Sequence, residues 1–413
     1  MMILGASKAQ VNAIKRMKEM GYQVIASDYY EDSIGKKIAD HSILASTFSY
    51  EETYEKSREF HIDGVMTTGT DQPVLVVSKL AEKMGLPCMI SSETALNVTN
   101  KKYMKKLLDD NNIPLTDYRL IREDFSDDEL EGLKFPLVVK PVDSQGQRGI
   151  FLLDSLEDIR KNFKDVIVHS REKEILVEEY YKNDEITVSG WVRDGQVNVL
   201  TITDRVIFDD RSKLGVCISH EFPSVHFNEY GEEIIDVTKR ICDIFKIDNG
   251  PIYFQMFIGS EGLKVNELAC RIGGAYEDEV IPYLTGVDIL KMLIDYSLGN
   301  DIDYSSLESY DIFNNSKCSS TQLFFAVEGK IEEIVDEDII RNMDYVLNLG
   351  FNFSEGFTIP KIVNATQRAG YVIITAESEE KLIENIDLVF DDLYMKNDKN
   401  ENMIIRGKRG NRN

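Results

Sequence analysis

The chain opens on an apolar run, Met1 to Leu4, closed by Gly5-Ala6-Ser7, after which Val11, Ile14, Met17 and Met20 recur at helical spacing before Gly21. That pattern predicts strand, turn and helix. A second apolar run, Gln23 to Ser27, ends at Asp28 and completes a βαβ unit of a parallel sheet. The alternation continues with a strand at Gly64–Thr68, a helix over Val74–Met84 and a strand at Pro87–Ile90. Residues 1–95 are therefore expected to form a Rossmann-like parallel-sheet domain.

From Asn100 the pattern changes. Tyr103, Leu107 and Leu108 mark a helix that stops near Asn111-Asn112, with Pro114 beyond it. Phe135 to Pro141 predicts a strand that runs into the polar loop Asp143–Gly149 and resumes at Ile150–Leu153. A loop of that length with two glycines is too long for a tight hairpin turn and points to a mobile, functional segment. A helix is expected over Leu156–Asn162. Strand-like runs then dominate, at Glu174–Glu179, Ile186–Val192, Val197–Ile202, Ile252–Phe257 and Leu263–Asn266, which predicts an antiparallel sheet. Beyond about residue 320 the pattern is mixed, with a strand at Gly370–Thr375 and an amphipathic helix over Lys381–Tyr394, as in a small α+β unit. The fold class is α/β followed by α+β, with expected boundaries at 1–95, 96–305 and 306–413 and a mobile smaller part at about 130–182.

Charge narrows the partners. With 47 Lys and Arg against 72 Asp and Glu, the net charge of −25 repels a phosphodiester backbone, so nucleic acid is not an expected partner. The one basic concentration, Arg406 to Asn413, reads as a disordered, solvated end. The five cysteines, 88, 217, 242, 270 and 318, form no Cys-x-x-Cys pair and fit a reducing cytoplasm. No targeting segment or membrane-spanning apolar run is legible, so no membrane partner is expected.

Three stretches carry candidate chemistry. Lys140 ends an apolar strand just before the glycine loop, where its ammonium and the backbone N–H groups near Gly146 and Gly149 could meet phosphates. Ile175 to Tyr181 is a strand that leaves into Lys182-Asn183-Asp184-Glu185, and its end could offer backbone groups to an adenine edge, with Glu185 accepting from ribose hydroxyls. Gly250–Phe257 and Leu263–Gly274 form a hairpin whose strands bring Gln255 and Glu267 together, with Arg271 just beyond. A strand carboxylate can hold Mg²⁺ against phosphates, and an arginine fork beside it can neutralise a transferring phosphoryl group or orient a carboxylate. The histidines show no ligand spacing; His220 lies ahead of the hairpin and could face substrate.

In order and spacing these stretches, with Lys101 in Thr99-Asn100-Lys101-Lys102-Tyr103, resemble the ATP-grasp superfamily, in particular its biotin-carboxylase-like and formate-dependent purine-ligase-like branches. The resemblance covers residues 1 to about 300, and Arg368–Ile373 is similar to the final subdomain of that branch. It implies an ATP-grasp domain of two α+β subdomains clamping ATP between the Rossmann-like domain and a small C-terminal α+β subdomain. Lys101 and Lys140 would bind ATP phosphates, and Ser144, Gly146, Arg148 and Gly149 would belong to the closing loop. Glu178 and Tyr181 would frame the adenine with Phe257 nearby, and Glu185 would meet the ribose. Glu267 would ligate Mg²⁺, or Mn²⁺ in its place, with Gln255 as the second metal-site position, and Arg271 would serve the reacting groups together with Lys140.

Two positions depart from the family pattern. Gln255 stands where a second metal carboxylate is usual, and Glu267-Leu268-Ala269 replaces Glu-x-Asn; Glu277 or Asp278 could assist the metal.

The implied reaction is phosphorylation of a carboxylate to an acyl phosphate and its displacement by an amine, with small-molecule carboxylate and amine partners and a homodimer as an allowed assembly. Asp71, in the loop Thr67–Pro73, could pair with the amine, or cap the helix that follows. An amino-acid or dipeptide ligase and a phosphoribosylglycinamide-type purine ligase both remain open, as does a nucleotide-binding protein that has lost catalysis. An NAD-dependent oxidoreductase, suggested by Gly5 and Asp28, fails because Gly5–Gln10 lacks the further glycines of the dinucleotide fingerprint.

Overall fold

The computed structural model describes residues 1–406. Its first part is a parallel sheet in the order β3-β2-β1-β4, built from β1 (Met2–Leu4), β2 (Ile25–Asp28), β3 (His41–Leu44) and β4 (Val65–Met66). The helix Lys8–Glu19 starts where Ser7 and Gln10 form a capping box, which satisfies backbone donors at the helix start. Asp28 accepts from the backbone N–H groups of Ala6, at 2.8 Å, and Tyr30, at 2.8 Å. Its carboxylate thus closes the first turn instead of standing free for a ribose.

One expected strand is absent. Pro87–Ile90 is irregular, because Pro87 has no N–H to give a ladder and Met89 packs against Gly250, where a Cβ would lie 2.6 Å from the Met89 sulfur. An unexpected helix follows at Ser92–Thr99, capped by the Ser91 side chain accepting from Thr94 N–H, and it leads directly into the expected helix Lys101–Asp110.

A small antiparallel sheet in the order β5-β8-β6-β7 contains β5 (Tyr118–Ile121), β6 (Leu137–Pro141), β7 (Phe151–Leu153) and β8 (Ile175–Glu179). The helix Leu156–Ile167 buries Ile159, Phe163 and Val166 against it.

The large sheet is antiparallel and eight-stranded. It runs from β13 (Gly262–Ala269) through β12 (Gly250–Gly259), β9 (Asn183–Arg193), β10 (Gln196–Ile207), β11 (Cys217–Phe222) and β14 (Cys318–Gln322) to Gly370–Ala376 and Val346–Phe351. The strands beyond residue 306 thus extend the sheet begun by β9–β13. One face packs on the helix Phe227–Phe245 through Ile234, Val237 and Ile241. The opposite face carries polar residues at β9, β10 and β12, and it is this face that the site uses.

The fold class read from the sequence, parallel α/β followed by mixed α+β, is the one observed. No helix among the described residues is long and apolar enough to cross a membrane. Of the basic tail, Arg406 pairs with Asp387, and residues 407–413 lie outside the described residues.

Candidate active site

The register of the hairpin fixes where Gln255 and Glu267 stand. Gln255 on β12 lies opposite both Glu267 on β13 and Thr187 on β9, so the Gln255 and Glu267 side chains project from one face at neighbouring positions. Lys101 comes from the start of its helix, and its Nζ stands 3.3 Å from Glu267 Oε1 and 2.9 Å from the backbone oxygen of Ser144. Lys140, at the end of β6, reaches Glu178 at 2.5 Å, Asn266 at 3.2 Å and Glu267 at 3.9 Å. Burial works against the charge of Glu267, but the ammoniums of Lys101 and Lys140 hold its carboxyl below the usual range.

Glu178 is consumed inside this network. It is 4% exposed and pairs with Lys140 on one side and with Lys105 at 2.6 Å on the other, while Thr116 donates to it at 3.1 Å. Burial pushes the Glu178 carboxyl up, yet the two ammoniums outweigh it and bring it down to about 2. Lys105 was not singled out in the sequence, although its spacing of four from Lys101 places both on one face of the helix Lys101–Asp110.

Arg271 follows β13, in a turn that rests on the N-terminal domain. Gly69 N–H donates to the Ile272 oxygen at 3.1 Å, and a Cβ on Gly274 would lie 2.7 Å from the Gly69 oxygen, so the two loops touch backbone to backbone. This contact brings Arg271 Nε within 2.6 Å of Asp71 Oδ1. Asp71 is therefore the partner of Arg271; the helix Val74–Met84 starts from Pro73 with no side-chain cap.

The loop 143–149 lies across the opening. Gln145 accepts from Asp71 N–H at 2.7 Å and Gln72 N–H at 3.2 Å and donates to Thr70 Oγ1 at 2.6 Å, which fastens the loop to the N-terminal domain. Gly146 and Gly149 have φ of +70° and +71°, and at Gly149 a Cβ would meet the His169 ring at 2.8 Å.

These groups surround one cleft of about 440 Å³. Of the residues singled out in the sequence, Lys101, Lys140, Ser144, Gly146, Arg148, Gln255, Glu267, Asp71 and Arg271 line it. Glu178 sits behind Lys140. Tyr181 is held by the hairpin turn, its hydroxyl donating to the Gly262 oxygen at 2.8 Å and accepting from Glu261 N–H at 3.0 Å. Glu185 lies opposite Phe257 in the β9–β12 register and pairs with Arg205 of β10. Gly149, Tyr181, Glu185 and Phe257 are not among the residues lining the cleft. His220 is 8% exposed on β11, against Thr187 and Thr203, and is also away from the cleft. Glu277 is not among the residues lining the cleft, and its carboxylate accepts from Ala275 N–H at 2.7 Å. Arg368, which the cleft gains from the C-terminal part, was read only as the start of a stretch similar to the final subdomain and not as a site residue.

Residues 133–278, the stretch that holds Lys140, the loop, Glu178 and the hairpin, match the ATP-grasp domain family. The chain carries an ATP-grasp domain. A second match, to the L-amino acid ligase C-terminal domain 2, covers residues 322–396. Among curated proteins, dapdiamide A synthase of Enterobacter agglomerans is 19% identical over 260 residues, which are 61% of this chain and 60% of that protein. The chain spans about half of the length of the curated relatives it matches, from 46% to 60% for three of them. Among solved structures, an L-amino acid ligase from Bacillus licheniformis superposes with a TM-score of 0.81 at 18% identity, covering 96% of this chain and 98% of that one. A phosphoribosylglycinamide synthetase from Anaerococcus prevotii does so with a TM-score of 0.75 at 19% identity and the same coverage of 96% and 98%. At such identities these likenesses establish the shared ATP-grasp fold. Within that fold the matched stretch supplies Lys140, the loop and the hairpin, and the residues that precede it supply Asp71 and Lys101.

Proposed function

We propose that the protein is an ATP-dependent carboxylate–amine ligase whose substrates are amino acids or short peptides. The observation that carries this reading is the convergence of Lys101, Lys140, Glu267 and Arg271 on one cleft beneath the loop 143–149. Two lysines and one carboxylate match a nucleotide triphosphate that arrives with a divalent cation, and an arginine in the same cleft matches a carboxylate or a transferring phosphoryl group. Lys101, Lys140, Ser144, Gly146 and Arg148 would take the phosphates. The adenine edge would meet the backbone of the strand end between Glu178 and Tyr181, since the Glu178 carboxylate is committed to lysines. Glu185 would reach the ribose with the oxygen that Arg205 leaves, and Phe257 would pack close by.

Glu267 is fit to hold Mg²⁺, because it is a partly exposed carboxylate kept ionised by its neighbours. The metal would neutralise charge on the phosphate oxygens. Gln255 adds at most a neutral amide oxygen, so the site presents one protein carboxylate where two are usual. The substrate carboxylate oxygen attacks the γ-phosphorus, giving an acyl phosphate and ADP, and the amine then attacks the acyl carbon and expels phosphate, losing a proton. The protein's part is positioning and electrostatic stabilisation, with no protein nucleophile. Asp71 would receive the ammonium of an incoming substrate as Arg271 turns to its carboxylate. The closed loop would keep water from the acyl phosphate.

A specific observation favours amino acids over phosphoribosyl substrates. Among the described residues, the wall that the N-terminal domain gives to the cleft, including Ser7, Asp28, Tyr29, Tyr30, Thr47 and Asp71, contains no lysine or arginine to hold a phosphate. The match of residues 322–396 to an amino acid ligase domain points the same way.

ADP release with ATP and Mg²⁺ should rise with pooled L-amino acids and stay at background with glycinamide or aminoimidazole ribonucleotides. A rise only with the ribonucleotides would move the assignment to purine chemistry, and the absence of ATP binding in any condition would overturn it. In the same assay Gln145→Ala, which removes three bonds of the latched loop, should raise KM for ATP by about tenfold and leave kcat within about twofold. An unchanged KM would show that the latch does not bear on nucleotide binding.

A further inference from the structure

Besides Arg148, which donates to the Gln145 oxygen within the loop, and Arg271, which pairs with Asp71, the cleft is lined by a third arginine, Arg368. Its backbone is held from several sides. The capping box of Asn364 and Gln367 closes the turn before it, and its own carbonyl accepts from Asn352 Nδ2 at 2.8 Å. Ala369 N–H donates to the Phe324 oxygen at 2.9 Å. At Gly370 a Cβ would lie 2.3 Å from the Phe324 ring, so the chain is pinned where the strand Gly370–Ala376 begins.

The guanidinium has no such hold. Nε is buried without a hydrogen-bond partner, and no acid among the described residues forms an ion pair with Arg368. Arg205 and Arg271, which are buried nearby, each have a carboxylate, Glu185 and Asp71. The neighbours of Arg368 do not supply the missing charge. Burial pushes the Cys217 thiol up and the Tyr276 hydroxyl up to about 12, so both are neutral at pH 7. The Glu277 carboxyl is raised by burial as well, and it accepts from Ala275 N–H. Burial therefore holds the Arg368 guanidinium below its usual range, and the nearby Arg205 adds to the effect. A cation taken out of water without a counter-charge is costly, so one that lines a substrate cleft calls for an anionic ligand, and its planar fork matches a carboxylate.

The ligase reading, on which this inference rests, says which carboxylate. Two amino acids must enter one cleft. The ammonium and carboxylate of the one that is activated are matched by Asp71 and Arg271. The acceptor brings an amine, whose nitrogen forms the new bond, and a carboxylate that takes no part in the reaction and ends as the C-terminus of the product. Lys101, Lys140 and the loop are committed to the nucleotide, which leaves Arg368. We infer that Arg368 binds the free α-carboxylate of the acceptor, so that the protein selects amino acids or peptides with a free C-terminus as acceptors.

The test uses the full chain with ATP and Mg²⁺. The donor is the L-amino acid that gives most hydroxamate with hydroxylamine, an acceptor that has no carboxylate. The acceptor is the L-amino acid that most stimulates ADP release with that donor, compared with its own α-amide. In the wild type the KM for the free amino acid should lie about ten- to a hundredfold below that for the amide. Arg368→Met should raise the former to the latter, while the KM values for amide and ATP and the rate of hydroxamate formation change less than about threefold. Arg368→Lys should recover part of the preference, because the charge remains without the fork, and it decides the matter if Arg368→Met melts below the wild type. No stimulation by any free amino acid, equal KM values for acid and amide, or an equal loss with both in the variant would overturn the inference, while hydroxamate formation would leave the ligase reading standing. A raised KM for ATP, or for the donor with hydroxylamine, would place the guanidinium on a phosphate or on the donor and overturn it too. With no hydroxamate and no ADP release from the wild type, the ligase reading falls and this inference with it.

Discussion

Arg271→Ala is expected to lower kcat for ADP release in the presence of the carboxylate and amine substrates by about a hundred- to a thousandfold, while ATP binding changes by less than about threefold. The asymmetry follows from position. Arg271 is bonded to Asp71 and stacked at 4.5 Å over the Tyr253 ring, and among the described residues its ion pair is with Asp71 and not with Glu267. A residue placed so can act on the reacting carboxylate and phosphoryl group without holding the nucleotide. Steady-state kinetics with a separate measurement of ATP affinity decide the point. Equal losses in binding and turnover would mean that the arginine merely holds the cleft together, and an unchanged kcat would remove it from the chemistry. Arg271→Lys should recover little, because a lysine cannot reproduce the fork that grips a carboxylate through two parallel bonds.

Lys105→Met should destabilise the folded protein by about 3 kcal/mol, a cost set by removing one partner of a buried ion pair. The replacement keeps the length of the side chain, so the loss is that of charge. Lys105 is fully buried and 2.6 Å from Glu178, and its removal leaves Lys140 alone to neutralise that carboxylate. Lys140 would then be drawn more firmly to Glu178 and away from a phosphate, so ATP affinity should fall along with stability. The acid limb gives an independent reading. In the native protein the Glu178 carboxyl lies at about 2, below its ordinary value near 4.5, so its stabilising contribution is complete above about 4.5 and fades as pH falls towards 2. With one ammonium gone the folded-state carboxyl lies higher, so the loss should be smaller and should end at a higher pH. Thermal melting of both proteins across this range checks the claim. Parallel curves would show that Glu178 does not depend on Lys105.

The helices and strands with strong periodicity were readable from the chain alone, whereas Lys101, Lys140, Glu267 and Arg271 were grouped by an order and spacing that resemble the ATP-grasp superfamily; in the structure all four line one cleft. What escaped shows where pattern fails. The helix Ser92–Thr99 has too few apolar residues to display a period and is held by its cap and by burial of Ala95 and Val98. Lys105 looked like one more solvated lysine in Lys-Lys-Tyr-Met-Lys-Lys, since burial of a charge depends on a partner about seventy residues away that no local pattern records. Glu178 was read by its place on a strand end, which favours the adenine, whereas its side chain points into the lysine pair. Asp71 left two readings open, an amine partner or a helix cap; its actual bond to Arg271 spans two domains of the sequence and needed the fold to be seen.

The continuation of the large sheet into Cys318–Gln322, Gly370–Ala376 and Val346–Phe351 has a consequence for synthesis and for engineering. As the chain leaves the ribosome, β11 presents an open edge of unpaired N–H and C=O groups until residues beyond 317 have been made, and that edge is a template for wrong pairing with another nascent copy. A chain halted before that point would carry Lys101, Lys140 and the hairpin yet remain sticky. Grafting the C-terminal part of one relative onto another must therefore preserve the β11–β14 ladder, since the seam of the molecule runs through hydrogen bonds of a single sheet and offers no linker at which to cut.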